Sequence, residues 1–502
     1  MLLQMAQVAL IPILALFVFV LVARRVLLQT RTSVVATVQL PPLVQSRLWW
    51  IGSTLRFIYD PSAFFQHNSE IYGSIYRFCL GGRYMTVVSD PAAIVKIHSL
   101  PPAVLIPFEY QQIHRICGLA ERVRFISDVF HNRIIPISAS LLAKHRMSPI
   151  STAFSTHLLA CFDSLRVPQH ATVQYQLPDL MGECMYRAST LAFFGPSFPA
   201  DTWADFAALD EDMSFLLRGI PLLDIRAKRA RERICRAMQA YIRDTWQEDG
   251  DGYLAGTSEA MSAMLLEALG SGMTEAESAR LMVSVLWGMN GSMIQVTQWC
   301  LAYIVADKAL LEHVSDTVRL AVERHFADIS CLPAADPRYL DQPDFAILQS
   351  IVDEVLRLST LTTAFREVVE SFEITGYDGR PYIVPKGDLV ALDVRSIHIN
   401  PVFFTEPHVF KADRFLSTEG QERSYGRRKL IPWGGGKHMC KGRHFAEWAV
   451  KTFLIMFLCS FDVETSSHPT SPASLSRTGT SILRLDCSCP MNLRRRVSCT
   501  QH

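Results

Sequence analysis

The spacing of hydrophobic residues changes along the chain, and each change predicts a different kind of structure. Residues 8–23 are continuously apolar apart from one proline. Short alternating runs follow near residues 74–88, helical spacing dominates from about 105 to 360, and residues 365–400 alternate again. This order predicts a mainly α fold with small β-sheets, preceded by one transmembrane helix.

The first alternating runs predict a β-hairpin. Ser74–Cys79 and Arg83–Val88 are separated by a Gly-Gly pair, which is a common hairpin signal. A helix should begin directly afterwards, because Ser89 or Asp90 can cap its first turn and Pro91 suits the first helical position. Further strand-like runs begin at Phe372, Tyr382 and Leu389.

The N-terminal apolar run predicts a membrane anchor over residues 1–25. It is about long enough to span, since roughly 20 residues cross a bilayer. Arg24, Arg25 and Arg31 follow it, and the positive-inside rule places that end in the cytosol. A cleaved signal peptide is the alternative, but it would need a positive segment before the apolar run. We expect a linker over 26–45 and one domain over 46–502.

Composition supports one large domain and excludes some classes of partner. Hydrophobic residues form 49% of the 502 positions, which is enough for a large core. The net charge of +1 gives no electrostatic basis for binding nucleic acid. The 12 cysteines are scattered without zinc-type spacing, so we interpret most of them as reduced core thiols.

The most specific chemical signal is a cysteine on a glycine-rich loop, residues 432–443. Three glycines precede Cys440, and an amphipathic helical pattern begins directly behind it. Glycines let a backbone approach a bound group closely, and backbone N–H groups at a helix N-terminus stabilise a thiolate. A buried structural cysteine is the alternative for a lone residue. The spacing favours a metal centre with Cys440 as ligand.

This loop resembles the haem-ligand loop of the cytochrome P450 family. That loop has an aromatic residue, a glycine-rich turn, a basic residue two before the cysteine and a glycine two after it. The resemblance implies a P450 fold and haem b, with Cys440 as the axial iron ligand. The family usually has phenylalanine where this chain has Trp433. Cofactor contacts are then expected at Trp433, Gly434, Gly436, His438 and Gly442.

A second part of the resemblance is a triad that locks the chain behind the haem. Glu354 and Arg357 share one helix face, although alone they would suggest an exposed ion pair. The family adds an arginine from a later segment, here Arg414. The surrounding Ala-Asp-Arg-Phe departs from the family pattern at its first two positions. If buried, the triad would leave a stranded charge when one member is lost.

Two cationic positions match the family's partners for the haem propionates. His438 and Arg366 stand at the expected distances, and a cationic donor suits a carboxylate. The alternative for Arg366 is a surface strand arginine. The family's Trp-x-x-x-Arg helix is absent, because residues 100–160 contain no tryptophan. His145 and Arg146 are the nearest candidates for that role.

The apolar helix that begins near residue 281 corresponds to the family's oxygen-activating helix. Gly291 matches its small residue, Ser292 takes the position of its acid, and Met293 takes the position of its threonine. This resembles the branch that holds the cholesterol 7α-hydroxylase and prostacyclin synthase types. We expect Gly291 and Ser292 to be catalytic, within an apolar pocket lined by Leu286, Trp287 and Met289.

The resemblance implies a haem-thiolate monooxygenase that takes electrons from NADPH through cytochrome P450 reductase. Basic residues around the loop could meet an acidic reductase, or they could be ordinary solvated charges: Lys429, Lys437, Lys441 and Arg443. The expected location is the endoplasmic reticulum membrane, single-pass, with the catalytic domain in the cytosol. The substrate would be an apolar terpenoid, steroid or polyketide of secondary metabolism, by likeness to fungal sequences.

Two other functions remain open at this stage. A haem-thiolate isomerase or dehydratase would rearrange an oxygenated substrate without dioxygen or NADPH, and the methionine at position 293 favours it. A non-catalytic haem-binding sensor is the third possibility, although a sensor would not need the full triad and a substrate helix.

Overall fold

The computed structural model describes ten segments of the chain: residues 39–46, 51–107, 112–168, 171–219, 222–245, 256–361, 363–416, 429–465, 482–485 and 488–496. The predicted anchor at residues 1–25 lies outside them. Among these residues, no helix is both long enough and apolar enough to span a bilayer.

The N-terminal part of the described chain is a small mixed region. It contains α1 Thr54–Tyr59, α2 Pro61–Tyr72, β1 Ile75–Leu80, β2 Arg83–Val88, α3 Pro91–Ser99 and β3 Leu105–Pro107. The predicted hairpin is confirmed, and both glycines of its turn have positive φ. The predicted helix start is confirmed too, because the Asp90 carboxylate accepts a hydrogen bond from Ala93 N at 2.8 Å.

The middle of the chain is helical, as the spacing predicted. It contains α4 Ile113–Cys117, α5 Val123–Asp128, a π-helical turn Val129–Ile134, α6 Ile135–Leu141, α7 Ser148–Ser164, β4 Val173–Gln176, α8 Leu177–Phe194, α9 Trp203–Glu211, α10 Met213–Arg218, α11 Ile225–Thr245, α12 Glu259–Gly270, α13 Glu275–Ala306, α14 Lys308–His325 and α15 Ala346–Ser359. Short 3₁₀ turns connect some of these helices: Lys144–Arg146, Ala200–Thr202, Ile329–Ala334, Pro337–Asp341 and Pro343–Phe345.

The C-terminal part returns to strands and ends on one long helix and a hairpin-like pair. Its elements are β5 Thr363–Val368, β6 Phe372–Thr375, β7 Pro381–Val384, β8 Leu389–Asp393, α16 Val394–His398, a 3₁₀ turn Gly436–His438, α17 Arg443–Ser460, β9 Phe461–Thr465 and β10 Pro490–Arg495. The strand-like runs at 372, 382 and 389 are therefore confirmed.

The described strands form three small sheets at the edge of the helical body. The largest has the order β1-β2-β8-β5-β3, with β2 and β8 parallel and the other pairs antiparallel. The second has the order β4-β10-β9, and β6 pairs with β7. Part of the predicted linker joins this framework, because Gln39 bridges Tyr382 and Leu43 bridges Arg77.

Helix α13 is the central element of the body. Its 32 residues give a length of about 48 Å at 1.5 Å per residue. A capping box fixes its first turn, since Thr274 and Glu277 exchange hydrogen bonds. It packs against α8, α11, α14, α15 and α17. The helix behind the glycine-rich loop and the predicted oxygen-activating helix are therefore direct neighbours.

Candidate active site

Glu354 lies at the centre of a buried network of charges. Arg357 meets its carboxylate with two N–H groups, at 2.7 and 2.8 Å. Arg414 reaches the same carboxylate with Nε, at 2.8 and 2.9 Å from the two oxygens. The side chains of Glu354 and Arg357 are fully excluded from solvent. The structure thus places the three predicted triad residues in direct contact with one another through the Glu354 carboxylate.

The two arginines also fix the chain that follows α16. Arg357 Nη1 donates to the carbonyl oxygens of His398 and Pro407, at 2.8 and 2.6 Å. Arg414 donates to the carbonyl oxygens of Thr405 and Val409, at 2.7 and 2.9 Å. This irregular segment has little regular secondary structure, so the guanidinium groups take the place of ladder partners for its carbonyls.

His398 connects the triad to the glycine-rich loop. Its carbonyl accepts from Arg357, and its imidazole Nε2 accepts from Ile431 N at 3.0 Å. Ile431 directly precedes the loop. His398 is completely buried, and burial together with the charges of Arg357 and Arg395 lowers its pKa to about 3. The neutral ring, with Nε2 as the acceptor, is therefore the form that the fold requires.

The loop itself depends on glycine at defined positions. Gly434 and Gly436 have φ values of +70° and +56°, which side chains rarely tolerate. A Cβ added at Gly435 would lie 2.7 Å from the His98 ring, and one at Gly436 would collide with the His98 carbonyl. The loop closes on itself where Cys440 N donates to the Trp433 carbonyl at 2.9 Å. It is packed against the end of α3.

The Cys440 side chain is only partly enclosed by the protein. The side chain is accessible to solvent, although protein atoms surround most of it. Burial raises the pKa of the thiol, while backbone N–H groups of Gly442 and Arg443 and the positive charges of Arg443 and Lys441 oppose this. A Cβ added at Gly442 would meet open space. The donors around the sulfur are those that stabilise a metal-bound thiolate.

A group of basic side chains gathers beside the loop. Arg366 is buried, with 4% of its surface exposed, and its charge lowers the pKa of both His98 and His438 to about 4 after the larger effect of burial. Burial and the charge of His438 lower the pKa of His131 to about 4. Nδ1 of His98 is buried and has no hydrogen-bond partner within the described residues.

Two members of this group were not predicted from the sequence. His98 ends α3 and His131 lies in the π-helical turn after α5, both more than 300 residues before Cys440. His145 and Arg146, the predicted candidates, lie in a separate 3₁₀ turn, where Arg146 pairs with Glu259 at 2.7 Å. The helical stretch between residues 123 and 141 therefore supplies a basic residue close to His438, through His131 and without a tryptophan.

One stripe in the middle of α13 remains accessible, although most of the helix is buried. Val285, Ser292 and Gly288 keep exposed surface at helical spacing, and a Cβ added at Gly288 would meet open space. Met293 is 3% exposed and Leu286 is fully buried, so both belong to the core and not to this stripe. Ser292 is the polar residue that the structure presents to the open space.

Comparison with known proteins identifies the family to which this fold and site belong. The cytochrome P450 family profile matches residues 177–486, which is more than half of the chain. The chain belongs to the cytochrome P450 family. This confirms the resemblance that the cysteine loop and the triad suggested, and it makes the protein an oxidoreductase with a haem-iron cofactor.

Individual relatives cover nearly the whole chain. It is 26% identical to prostacyclin synthase from Bos taurus, over 91% of this chain and 94% of the relative. It is 25% identical to cholesterol 7-alpha-monooxygenase from Cricetulus griseus, over 88% of this chain and 91% of the relative. A retinoic-acid-bound cyanobacterial P450 matches with a TM-score of 0.69 at 16% identity, covering 92% of this chain and 100% of that one.

The residues of this P450 fit a haem. An accessible sulfur surrounded by N–H donors suits iron, the open space beside Gly442 leaves room for a flat ring, and the basic group around Arg366 suits carboxylates. We assign Cys440 as the residue that would hold the iron. Arg366, His438, His98 and His131 would hold the propionates.

Removing the triad carboxylate should abolish stable haem loading. Glu354→Ala leaves two guanidinium groups buried without a counter-charge, which costs about 3–5 kcal/mol. We expect little haem-containing protein and a clearly lowered melting temperature. The matched control is Asp336→Ala, which breaks the solvent-exposed Asp336–Arg338 pair. Equal haem content in Glu354→Ala and wild type would refute the role of the triad.

Acid should destabilise the protein through His398. Its pKa is about 3 when folded and about 6.5 when unfolded, so the unfolded chain binds the proton more readily. Stability is then full above pH 6.5 and falls by about 1.4 kcal/mol per pH unit towards pH 3. The melting temperature of the holoprotein should fall accordingly, and His398→Asn should make this dependence shallower. His313→Gln, at an exposed position, should leave it unchanged; an unchanged profile in His398→Asn would contradict the assignment.

Proposed function

We propose that this P450 is a haem-thiolate monooxygenase that inserts one oxygen atom from dioxygen into an apolar small molecule. The observation that carries the proposal is the accessible Cys440 sulfur just before α17, the helix that packs against α13, together with the accessible Ser292 of α13. A bound haem b would supply iron for oxygen activation, and the thiolate would donate electron density to it. The protein would supply the ligand, the propionate partners and a proton donor.

Ser292 would be that proton donor. Its hydroxyl both donates and accepts hydrogen bonds, and it borders the open space. Met293, in the position of the family's threonine, is buried and carries a thioether that cannot donate a proton. Proton delivery would therefore run through Ser292 and ordered water. Gly291 was also predicted to be catalytic. Because it has no side chain, it would let α9 approach α13 closely, and it would not contact the substrate.

An isomerase or dehydratase is the second candidate. The buried methionine at position 293 supports it, as does the likeness to a relative named as a synthase. Such an enzyme would need neither dioxygen nor NADPH. The likeness to a relative named as a monooxygenase supports the first proposal, and Ser292 gives that chemistry a proton source.

Membrane attachment and a reductase partner complete the proposal. Residues 1–25 would anchor the domain of residues 46–502 to the endoplasmic reticulum with the catalytic domain in the cytosol. Exposed apolar side chains at the start of α11, Leu222, Leu223 and Ile225, would add a contact with the lipid surface. NADPH-cytochrome P450 reductase would dock at the basic residues of the loop, which include Lys437, Lys441 and Arg443.

The proposed substrate class is based on the apolar residues of α13 and on the names of the relatives. The open stripe of α13 has Val285 and Gly288 beside its one serine, and Met289 next to it keeps some exposed surface, so this part of the helix favours an apolar molecule. Among the relatives, one is named for cholesterol. We propose a steroid, terpenoid or polyketide as substrate, within a secondary-metabolic pathway.

The iron ligand can be tested with carbon monoxide. The reduced carbon-monoxide complex of the wild type should show the red-shifted Soret band of a thiolate-ligated haem. Cys440→His should lose that band, whereas Cys331→Ser, at an exposed cysteine elsewhere, should keep it. A thiolate band in Cys440→His would overturn the assignment.

The reaction type can be tested with isotopic dioxygen and with Ser292→Ala. A monooxygenase should place one labelled oxygen in its product and require NADPH with purified reductase. Ser292→Ala should release more hydrogen peroxide per NADPH, because reduced oxygen leaves before the substrate reacts. Ser278→Ala, a buried serine at the start of the same helix, serves as control. Turnover of an oxygenated substrate without air or reductase would replace the proposal by the isomerase.

A further inference from the structure

Three distant parts of the chain meet around the carboxylate of Asp210, near the end of α9. Trp287 of α13 donates to Oδ1 with its indole N–H at 3.0 Å. Gln295 of α13 donates to Oδ2 at 3.3 Å, and Arg484 pairs with the same oxygen at 3.4 Å. Side-chain exposure is 11% for Asp210 and 28% for Arg484. Apart from the expectation that Trp287 lines the pocket, none of the roles assigned above uses this cluster.

The cluster meets α13 one residue before Ser292. Trp287 and Gln295 stand four residues on either side of Gly291, on the same helix face. A Cβ added at Gly291 would lie 3.1 Å from Asp210 Oδ1, so the glycine admits the carboxylate against the helix backbone. The next residue, Ser292, belongs to the accessible stripe. The Asp210 carboxylate therefore lies against α13 at the residue next to Ser292.

The backbone on both sides of Arg484 is held firmly. Ile482 bridges Thr360, and Leu483 N donates to the Ser359 carbonyl at 2.7 Å. The Leu483 carbonyl in turn accepts from Trp299 Nε1 at 2.7 Å. The neighbours of Arg484 in this segment are buried in the core: Ile482, Leu483 and Leu485. Arg484 is thus the one residue of the described segment 482–485 whose side chain keeps substantial exposure.

In the Asp210–Arg484 pair, the hydrogen-bond donors that remain available belong to Arg484. Asp210 accepts from three side chains, which occupies most of its lone pairs. Arg484 has five N–H donors and, within the described residues, uses one of them in a contact of 3.4 Å. The pair is electrically neutral overall, since each partner carries one charge. It therefore offers hydrogen-bond donors without attracting anions strongly.

We propose that Arg484 is the polar anchor for the substrate. It would donate to an uncharged oxygen, a hydroxyl or a carbonyl, on an otherwise apolar molecule. Asp210, fixed by Trp287 and Gln295, is the positioning residue that orients the guanidinium. The inference rests on the proposed function, because it takes the open space beside α13 as the substrate cavity. It makes the substrate a hydroxylated or ketone-bearing molecule and not a hydrocarbon or a fatty acid anion.

Alkylimidazoles of graded chain length can test the anchor by difference spectroscopy. Their imidazole binds haem iron and shifts the Soret band, and their far end can carry a methyl, hydroxyl, methyl ketone or carboxylate group. At the chain length that reaches Arg484, the hydroxyl and ketone probes should bind roughly tenfold or more tightly than the methyl probe, as expected for a hydrogen bond to a charged group. The carboxylate probe should gain no more than the hydroxyl probe.

Variants separate anchoring from structural effects. Arg484→Leu should remove the preference for hydroxyl and ketone ends and leave the affinity of the methyl probe within about twofold, because that probe forms no hydrogen bond. Arg484→Lys should restore part of the preference, and Asp210→Asn should weaken it. Arg187→Leu, at a partly exposed arginine of α8, is the control.

The possible results distinguish a failure of the proposed substrate anchor from a failure of the proposed haem enzyme. A Soret shift with every probe but no discrimination at any chain length would overturn the anchor alone. An equal loss for all probes in Arg484→Leu would overturn it too, by showing a structural role. A strong preference for the carboxylate end would replace the neutral oxygen by an acid. Absence of any Soret shift would refute the haem enzyme, and the anchor with it.

Discussion

The buried carboxylate of Glu354 is the interaction on which the site depends. It balances two guanidinium groups, and those groups hold carbonyl oxygens of an irregular segment that has few other partners. Such a network adds little net stability when compared with an apolar core, because desolvation offsets its attraction. Its contribution is geometric: Arg357 fixes His398, and His398 fixes Ile431 at the start of the cysteine loop.

Besides the triad, two other elements position the residues around the cysteine. His98, near the end of α3, packs so closely against Gly435 and Gly436 that the loop cannot carry side chains at these positions. Helix α13 packs beside α17 and turns its accessible stripe towards the open space. The cysteine and the serine are thus placed by helices of the main hydrophobic cluster, whereas α3 and β5, which carry His98 and Arg366, pack in a second cluster.

Local patterns in the sequence predicted the parts of this arrangement that are local in the chain. The hairpin, the cap at Asp90, the helix with Glu354 and Arg357, and the glycine-rich loop each depend on residues a few positions apart. The contacts of His98, His131 and Asp210 could not be predicted in this way, since they join residues separated by tens to hundreds of positions. Strand β10 was missed because its neighbourhood is rich in serine and proline, and only pairing with β4 and β9 makes it a strand.

The central claim is that Cys440 presents its sulfur to a haem iron, and X-ray absorption at the iron edge tests it most directly. The ferric holoprotein should show one sulfur scatterer among the iron ligands. That scatterer should remain in Cys331→Ser and be absent in Cys440→Ser. A wild-type protein whose iron has no sulfur ligand, or a sulfur ligand that persists in Cys440→Ser, would contradict the account.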